Sequence, residues 1–147
     1  METNPAVGLD VPPTGAIIEY PYLWASQANA GETEGRKDRP VCVTLSVFEE
    51  ATNAHHLLLL AISSQPPRPG QQAIEVPRME RRRTGLLRYP AAWVVTSEYN
   101  YDIAERSFYL EPGAPVIGVF SSTFMRCVAT ALRSTLMRGL GRVDRDR

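Results

Sequence analysis

Large apolar residues fall at every second position from Val41 to Val47, with Cys42, Thr44 and Ser46 between them. A period of two predicts a β-strand over 41–48 with Val41, Val43, Leu45 and Val47 on one buried face. Upstream, Ala16-Ile17-Ile18-Glu19-Tyr20 reads as a short strand that Pro21 ends. Downstream, residues 49–54 read as a hairpin connection. His56-Leu57-Leu58-Leu59-Leu60-Ala61-Ile62 then reads as a strand buried on both faces, because a short apolar run flanked by turn residues favours strand over helix.

Three prolines make 63–70 a loop, and Ala73-Ile74-Glu75-Val76 a further short strand. Pro77 before Arg78-Met79-Glu80-Arg81-Arg82-Arg83, with Gly85 after, carries the start and stop signals of a helix of one or two turns. Residues 91–96 and Ser107-Phe108-Tyr109-Leu110 read as strands, the second ended by Pro112-Gly113. Phe120, Phe124, Val128, Leu132 and Leu136 recur every fourth residue after a cap at Ser121 or Ser122, which predicts an amphipathic helix closed by Gly139. Short strands with one small internal helix and one terminal helix predict a mainly β, α+β domain: a small barrel of mostly antiparallel strands rather than a βαβ sheet. The organisation expected is a loose Pro- and Gly-rich lead-in over 1–14, one domain over 15–139 and an Arg/Asp-rich tail over 140–147. Residues 21–40 have little hydrophobic pattern, and a loop of that length in a compact domain is functional or disordered.

Composition changes this picture little. The 147 residues are 44% hydrophobic and 22% charged, which suits one globular domain that needs neither disulfide nor metal to fold. Sixteen basic residues balance sixteen acidic ones, so net charge argues for no polyanion partner. Position alters that conclusion: residues 1–35 carry five acids and no Lys or Arg, whereas 36–83 and 126–147 are net positive, and every cation but Lys37 is Arg. Cys42 and Cys127 are too few for a disulfide framework and read as small buried hydrophobes in a reduced cytosol. No apolar run approaches the roughly 20 residues of a membrane helix. A cytoplasmic protein without a membrane partner is the expectation. Neither phosphate-binding nor metalloprotease nor nucleophile-elbow motifs occur, and His55-His56 lacks a spaced partner, so no cofactor and no metal are predicted.

Gly31-Glu32-Thr33-Glu34-Gly35-Arg36-Lys37-Asp38-Arg39-Pro40, feeding directly into the strand at Val41, resembles the flexible loop and second strand of the PemK/MazF family of toxin ribonucleases. Ala61-Ile62-Ser63-Ser64-Gln65 resembles the family's pattern at the end of the next long strand. Thr84-Gly85-Leu86 resembles its small-Gly-Leu step before a further strand. The three matches keep the family's order over about residues 15–100. The chain departs from the pattern by one extra loop residue and by a longer region from Tyr99 to Ser122.

The resemblance implies an SH3-like barrel that dimerises with a second copy, cleaves single-stranded RNA without metal or cofactor, and is neutralised by a small antitoxin protein. It places catalysis on Arg39 and Ser63, with Ser standing where the family has Thr. RNA supplies its own 2′-hydroxyl nucleophile, so the protein need only move protons and offset phosphoryl charge. A guanidinium has planar donors that fit a pair of phosphate oxygens. Arg36 and Lys37 on the loop, Gln65 in the second match, and Arg81 and Arg82 on the short helix are read as RNA-binding.

Each assignment has a plainer alternative. Arg39 can pair with Glu34 or Asp38 to fix the loop, and Ser63 can cap a turn. Tyr22, Trp24 and Trp93 can stack bases or simply pack. The competing functional class is a non-catalytic barrel of the same family that binds a protein or nucleic acid.

Overall fold

The computed structural model describes residues 11–35 and 37–146. Its strands are β1 (Ala16–Tyr20), β2 (Arg39–Glu49), β3 (Ala54–Ser63), β4 (Ala73–Glu75), β5 (Trp93–Val95), β6 (Tyr99–Ile103), β7 (Gly118–Val119) and β8 (Arg142–Asp144). Three helices accompany them: α1 (Ala25–Asn29), α2 (Arg78–Arg83) and α3 (Ser122–Met137). The sheet runs β4-β5-β3-β2-β1-β7, each neighbour antiparallel, with β6 attached to β3 and β8 lying parallel to β6. On one edge β3 serves two partners, β6 along His56–Leu59 and β5 at Ile62–Ser63. The sheet therefore forks and curls into a half-barrel, the small α+β barrel that the pattern predicts.

Both faces of the central strands are covered. Ile17, Cys42, Leu60, Ile62 and Val94 pack with Phe120, Phe124, Val128 and Leu132 from α3 and its entry. Ile18, Tyr20, Val41, Val43, Leu57 and Leu59 form a second cluster on the other side, against which Val11 and Trp24 pack. Double coverage explains the continuous apolar run of β3. Ser121 caps α3 by accepting from the Phe124 N–H at 3.1 Å, and Glu80 of α2 accepts from both the N–H (3.0 Å) and the hydroxyl (2.6 Å) of Ser121.

Several expectations need correction. Leu45 and Val47 do not share the buried face of Val41 and Val43. The β2–β3 register shifts between Val43 and Leu45, a bulge at Thr44 that turns the following side chains to the opposite face. Leu45 and Val47 are consequently exposed, and Phe48, on the other face, is exposed as well. Residues 107–110 are a turn rather than a strand, because the Ser107 hydroxyl accepts from the Tyr109 and Leu110 N–H groups, each at 3.0 Å. The strand in this region is β6, whose Asn100 and Asp102 are polar yet fully buried.

The stripe of α3 also drifts. A four-residue step overshoots a 3.6-residue turn by about 40°, so Leu136 has rotated to the surface and Thr135 takes the buried position. Cys127 is exposed, contrary to expectation, whereas Cys42 is buried. Within the expected tail, residues 142–144 form β8, and Arg145 is only 3% exposed. Within 21–40, α1 forms, its Trp24 N–H satisfied by Gln27 Oε1 at 3.1 Å. Of the expected lead-in, residues 1–10 lie outside the described residues.

Candidate active site

Arg39 opens β2 and Ser63 ends β3. The β2–β3 ladder ends where Val41 pairs with Ala61; two residues beyond, Arg39 pairs with Tyr20 of β1 and Ser63 with Trp93 of β5. Beside them lies a groove of about 980 Å³, lined by Tyr22, Trp24 and α1 on one side and by the 63–71 loop on the other, with Lys37, Arg39 and Glu98 between. The sequence-predicted Lys37, Arg39, Ser63 and Gln65 thus share one groove. Arg36 lies outside the described residues.

Arg81 and Arg82 do not line the groove. Arg81 is half-buried and donates from Nη1 to the Tyr89 carbonyl at 3.0 Å, and Arg82 is exposed on α2. Arg68, in the proline-rich loop, does line it.

The Arg39 guanidinium lies over the Trp24 ring, 5.0 Å from its centroid, and the Tyr22 ring meets Trp24 edge-on at 5.0 Å. Trp24 therefore holds a cation in place, an interaction worth about 1 kcal/mol. Arg39 Nε is buried without a hydrogen-bond partner among the described residues. Burial draws the Arg39 pKa down, opposed by Tyr22 and Tyr89. Nε is sealed from the groove, and a partly desolvated cation in the groove wall is suited to an anionic oxygen. Tyr22 is fully buried, which removes it as a stacking surface, and Trp93 is not part of the lining.

The Ser63 hydroxyl is engaged locally, accepting from the Gln65 N–H and donating to the Gln65 carbonyl, both at 3.0 Å. It closes the turn that leads from β3 into the groove's loop wall. Glu34 accepts from the Tyr109 hydroxyl at 3.0 Å.

Glu98 is the residue that sequence reasoning misses. It is 9% exposed, lines the groove and accepts on Oε2 from the Tyr22 hydroxyl (3.1 Å) and the Ala25 N–H (2.9 Å). The only signal is one carboxylate set between Val94-Val95 and Tyr99. Burial raises its pKa, and the two hydrogen bonds offset part of that rise.

Outside the groove, His55 contacts Glu105 at 2.5 Å, and His56 contacts Tyr101 at 2.5 Å and Glu49 at 3.0 Å. Among the described residues no cluster of three or more His, Cys, Asp or Glu is placed to hold a metal.

What the fold and groove define is a small α+β half-barrel with an open, mixed-charge groove at the end of its longest strand pair. No model of a protein family matches the chain, and neither a curated protein nor a solved structure matches it.

Proposed function

We propose that the chain is a toxin-type endoribonuclease that cuts single-stranded RNA in this groove by attack of the RNA's own 2′-hydroxyl. The observation that carries the reading is the convergence of Arg39, Lys37, Ser63 and Gln65 on one groove of about 980 Å³. An open groove of this size suits an extended strand, at the upper end of what small-molecule sites occupy. Lys37 and Arg68 meet backbone phosphates, and Arg39 meets the scissile phosphate through donors that Trp24 holds in place. The reading includes a cytoplasmic homodimer held silent by a small antitoxin protein.

The test is cleavage of single-stranded RNA in chelator-containing buffer, scored for 2′,3′-cyclic phosphate and 5′-hydroxyl ends. Wild type should cut, and Arg39→Ala should lose about 100-fold or more, the typical loss for one charge-stabilising donor. Intact RNA with wild-type protein, together with normal growth on expression without a partner, would sink the reading.

The Ser63 hydroxyl, satisfied inside its own turn, favours a second reading: a non-catalytic barrel of the same kind that binds protein or nucleic acid. RNA retention without cleavage, unchanged by Arg39→Ala, is its signature.

A further inference from the structure

Two carboxylates line the groove, Glu32 on the loop and Glu98, and Glu98 is the buried one. Its oxygens are not equivalent. Oε2 holds the Tyr22 hydroxyl and the Ala25 N–H. Oε1 takes no hydrogen bond among the described residues and is not one of the sealed, unpartnered atoms, which leaves it open to the groove. Among the described residues no ion pair ties Glu98 to Arg39, although both line the same groove. One oxygen is thus pinned, so the carboxyl cannot swing, and the other is free.

We propose that Glu98 is the catalytic proton acceptor of this groove, taking the proton of an RNA 2′-hydroxyl on Oε1 while Arg39 binds the adjacent phosphate. The assignment rests on the ribonuclease reading above. In the step, the O2′–H bond breaks and its proton passes to Oε1. The O2′–P bond forms, the P–O5′ bond breaks, and the leaving O5′ takes one proton from groove water. Glu98 then returns its proton to water, so no net proton, metal or other reactant is consumed.

Tyr22 is a positioning residue. Its hydroxyl donates to Oε2 and favours the charged carboxylate, while burial and the neighbouring Glu98 keep the phenol itself protonated. A carboxyl raised above its ordinary value of 4.5 also stands closer to the pH at which it must accept a proton.

The experiment is the pH profile of kcat/KM on single-stranded RNA without metal for wild type, Glu98→Gln and Tyr22→Phe, with thermal melts to verify folding. Wild type should show an acid limb with its midpoint above 4.5. Glu98→Gln should lose about 100-fold or more of the plateau rate and lose the limb. Tyr22→Phe, lacking the bond that favours the carboxylate, should keep the limb and move it to higher pH; a purely structural role would lower the plateau without moving the limb. Glu98→Gln that keeps rate and limb overturns the assignment while leaving the ribonuclease reading intact. If Glu98→Gln does not fold, Tyr22→Phe decides alone, and an unmoved limb overturns the assignment. Wild-type protein that leaves RNA uncut at every pH overturns both.

Discussion

Asn100 completes the backbone of Leu23 as a neighbouring strand would: its Nδ2 donates to the Leu23 carbonyl at 2.7 Å, and its Oδ1 accepts from the Leu23 N–H at 2.9 Å. Arg145 reinforces the join, donating from Nη1 to the same Oδ1 at 2.9 Å and to the Pro21 carbonyl at 2.8 Å. The segment past the end of β1 thus hangs on side chains of β6 and of the residue after β8, and it carries Tyr22 and Trp24 to the groove. Asn100→Leu, similar in size but without polar groups, would strand the Leu23 N–H and carbonyl together with one Arg145 donor. The expected cost is about 3 kcal/mol, read as a lower urea midpoint with an altered tryptophan signal. An unchanged midpoint would show that the join is dispensable.

Asp102 predicts a pH dependence of stability. It is fully buried, and its carboxylate accepts from the Tyr20 hydroxyl (2.7 Å), the Ser107 hydroxyl (2.6 Å) and the Ile103 N–H (2.8 Å). Burial outweighs these bonds and raises its pKa above the ordinary 3.8. A carboxyl with a raised folded pKa binds its proton more tightly in the native state. Its contribution is therefore fully present below pH 3.8 and is lost as pH rises through the folded value. Asp102→Asn removes that titration. The stability of wild type relative to Asp102→Asn should be greatest on the acid side and fall with rising pH, in urea midpoints measured across the range; a constant difference would refute the assignment.

Gly118 touches backbone. A Cβ there would stand 2.6 Å from the Thr84 Cα and 2.9 Å from the Thr84 carbonyl oxygen, with no flexible side chain to yield. Gly118→Ala should push β7 away from Thr84 at a cost of about 2 kcal/mol, seen as a lower melting temperature.

The two cysteines should separate by reactivity. Cys42 is sealed in the core against Met125, its thiol pKa pushed up to about 12 by burial, while Cys127 is exposed on α3. A thiol reagent should modify one site per native chain, Cys127→Ser should abolish that fast phase, and Cys42 should react only on denaturation. Two fast thiols in native protein would contradict the packing.

What the sequence discloses follows from how locally each feature is encoded. Val41, Val43 and Leu57–Ile62 announce strands because their environment is uniform along the run. The bulge at Thr44 is invisible, since the alternation continues in the text after the side chains have changed faces. β6 is hidden for a different reason: Asn100 and Asp102 point polar groups inward, and the partners that make this tolerable lie on β1, on the segment after it and on the turn at Ser107. Arg39 and Ser63 are singled out by short local motifs, Arg-Pro before a strand and a hydroxyl at the end of the next, and both line the groove. Glu98 is not, because a single carboxylate carries no pattern until α1 and Tyr22 close over it.

The tethers of the groove wall also bear on the order of folding. The β2–β3 hairpin closes through residues close in sequence. The wall is fixed by bonds spanning 77 residues from Leu23 to Asn100 and 124 from Pro21 to Arg145. Closing such long loops is entropically slow and is rewarded only once β6 and β8 are in place. Trp24 should therefore reach its native environment among the last groups during refolding, and a chain whose hairpin and α3 have already formed still has no place for a ligand.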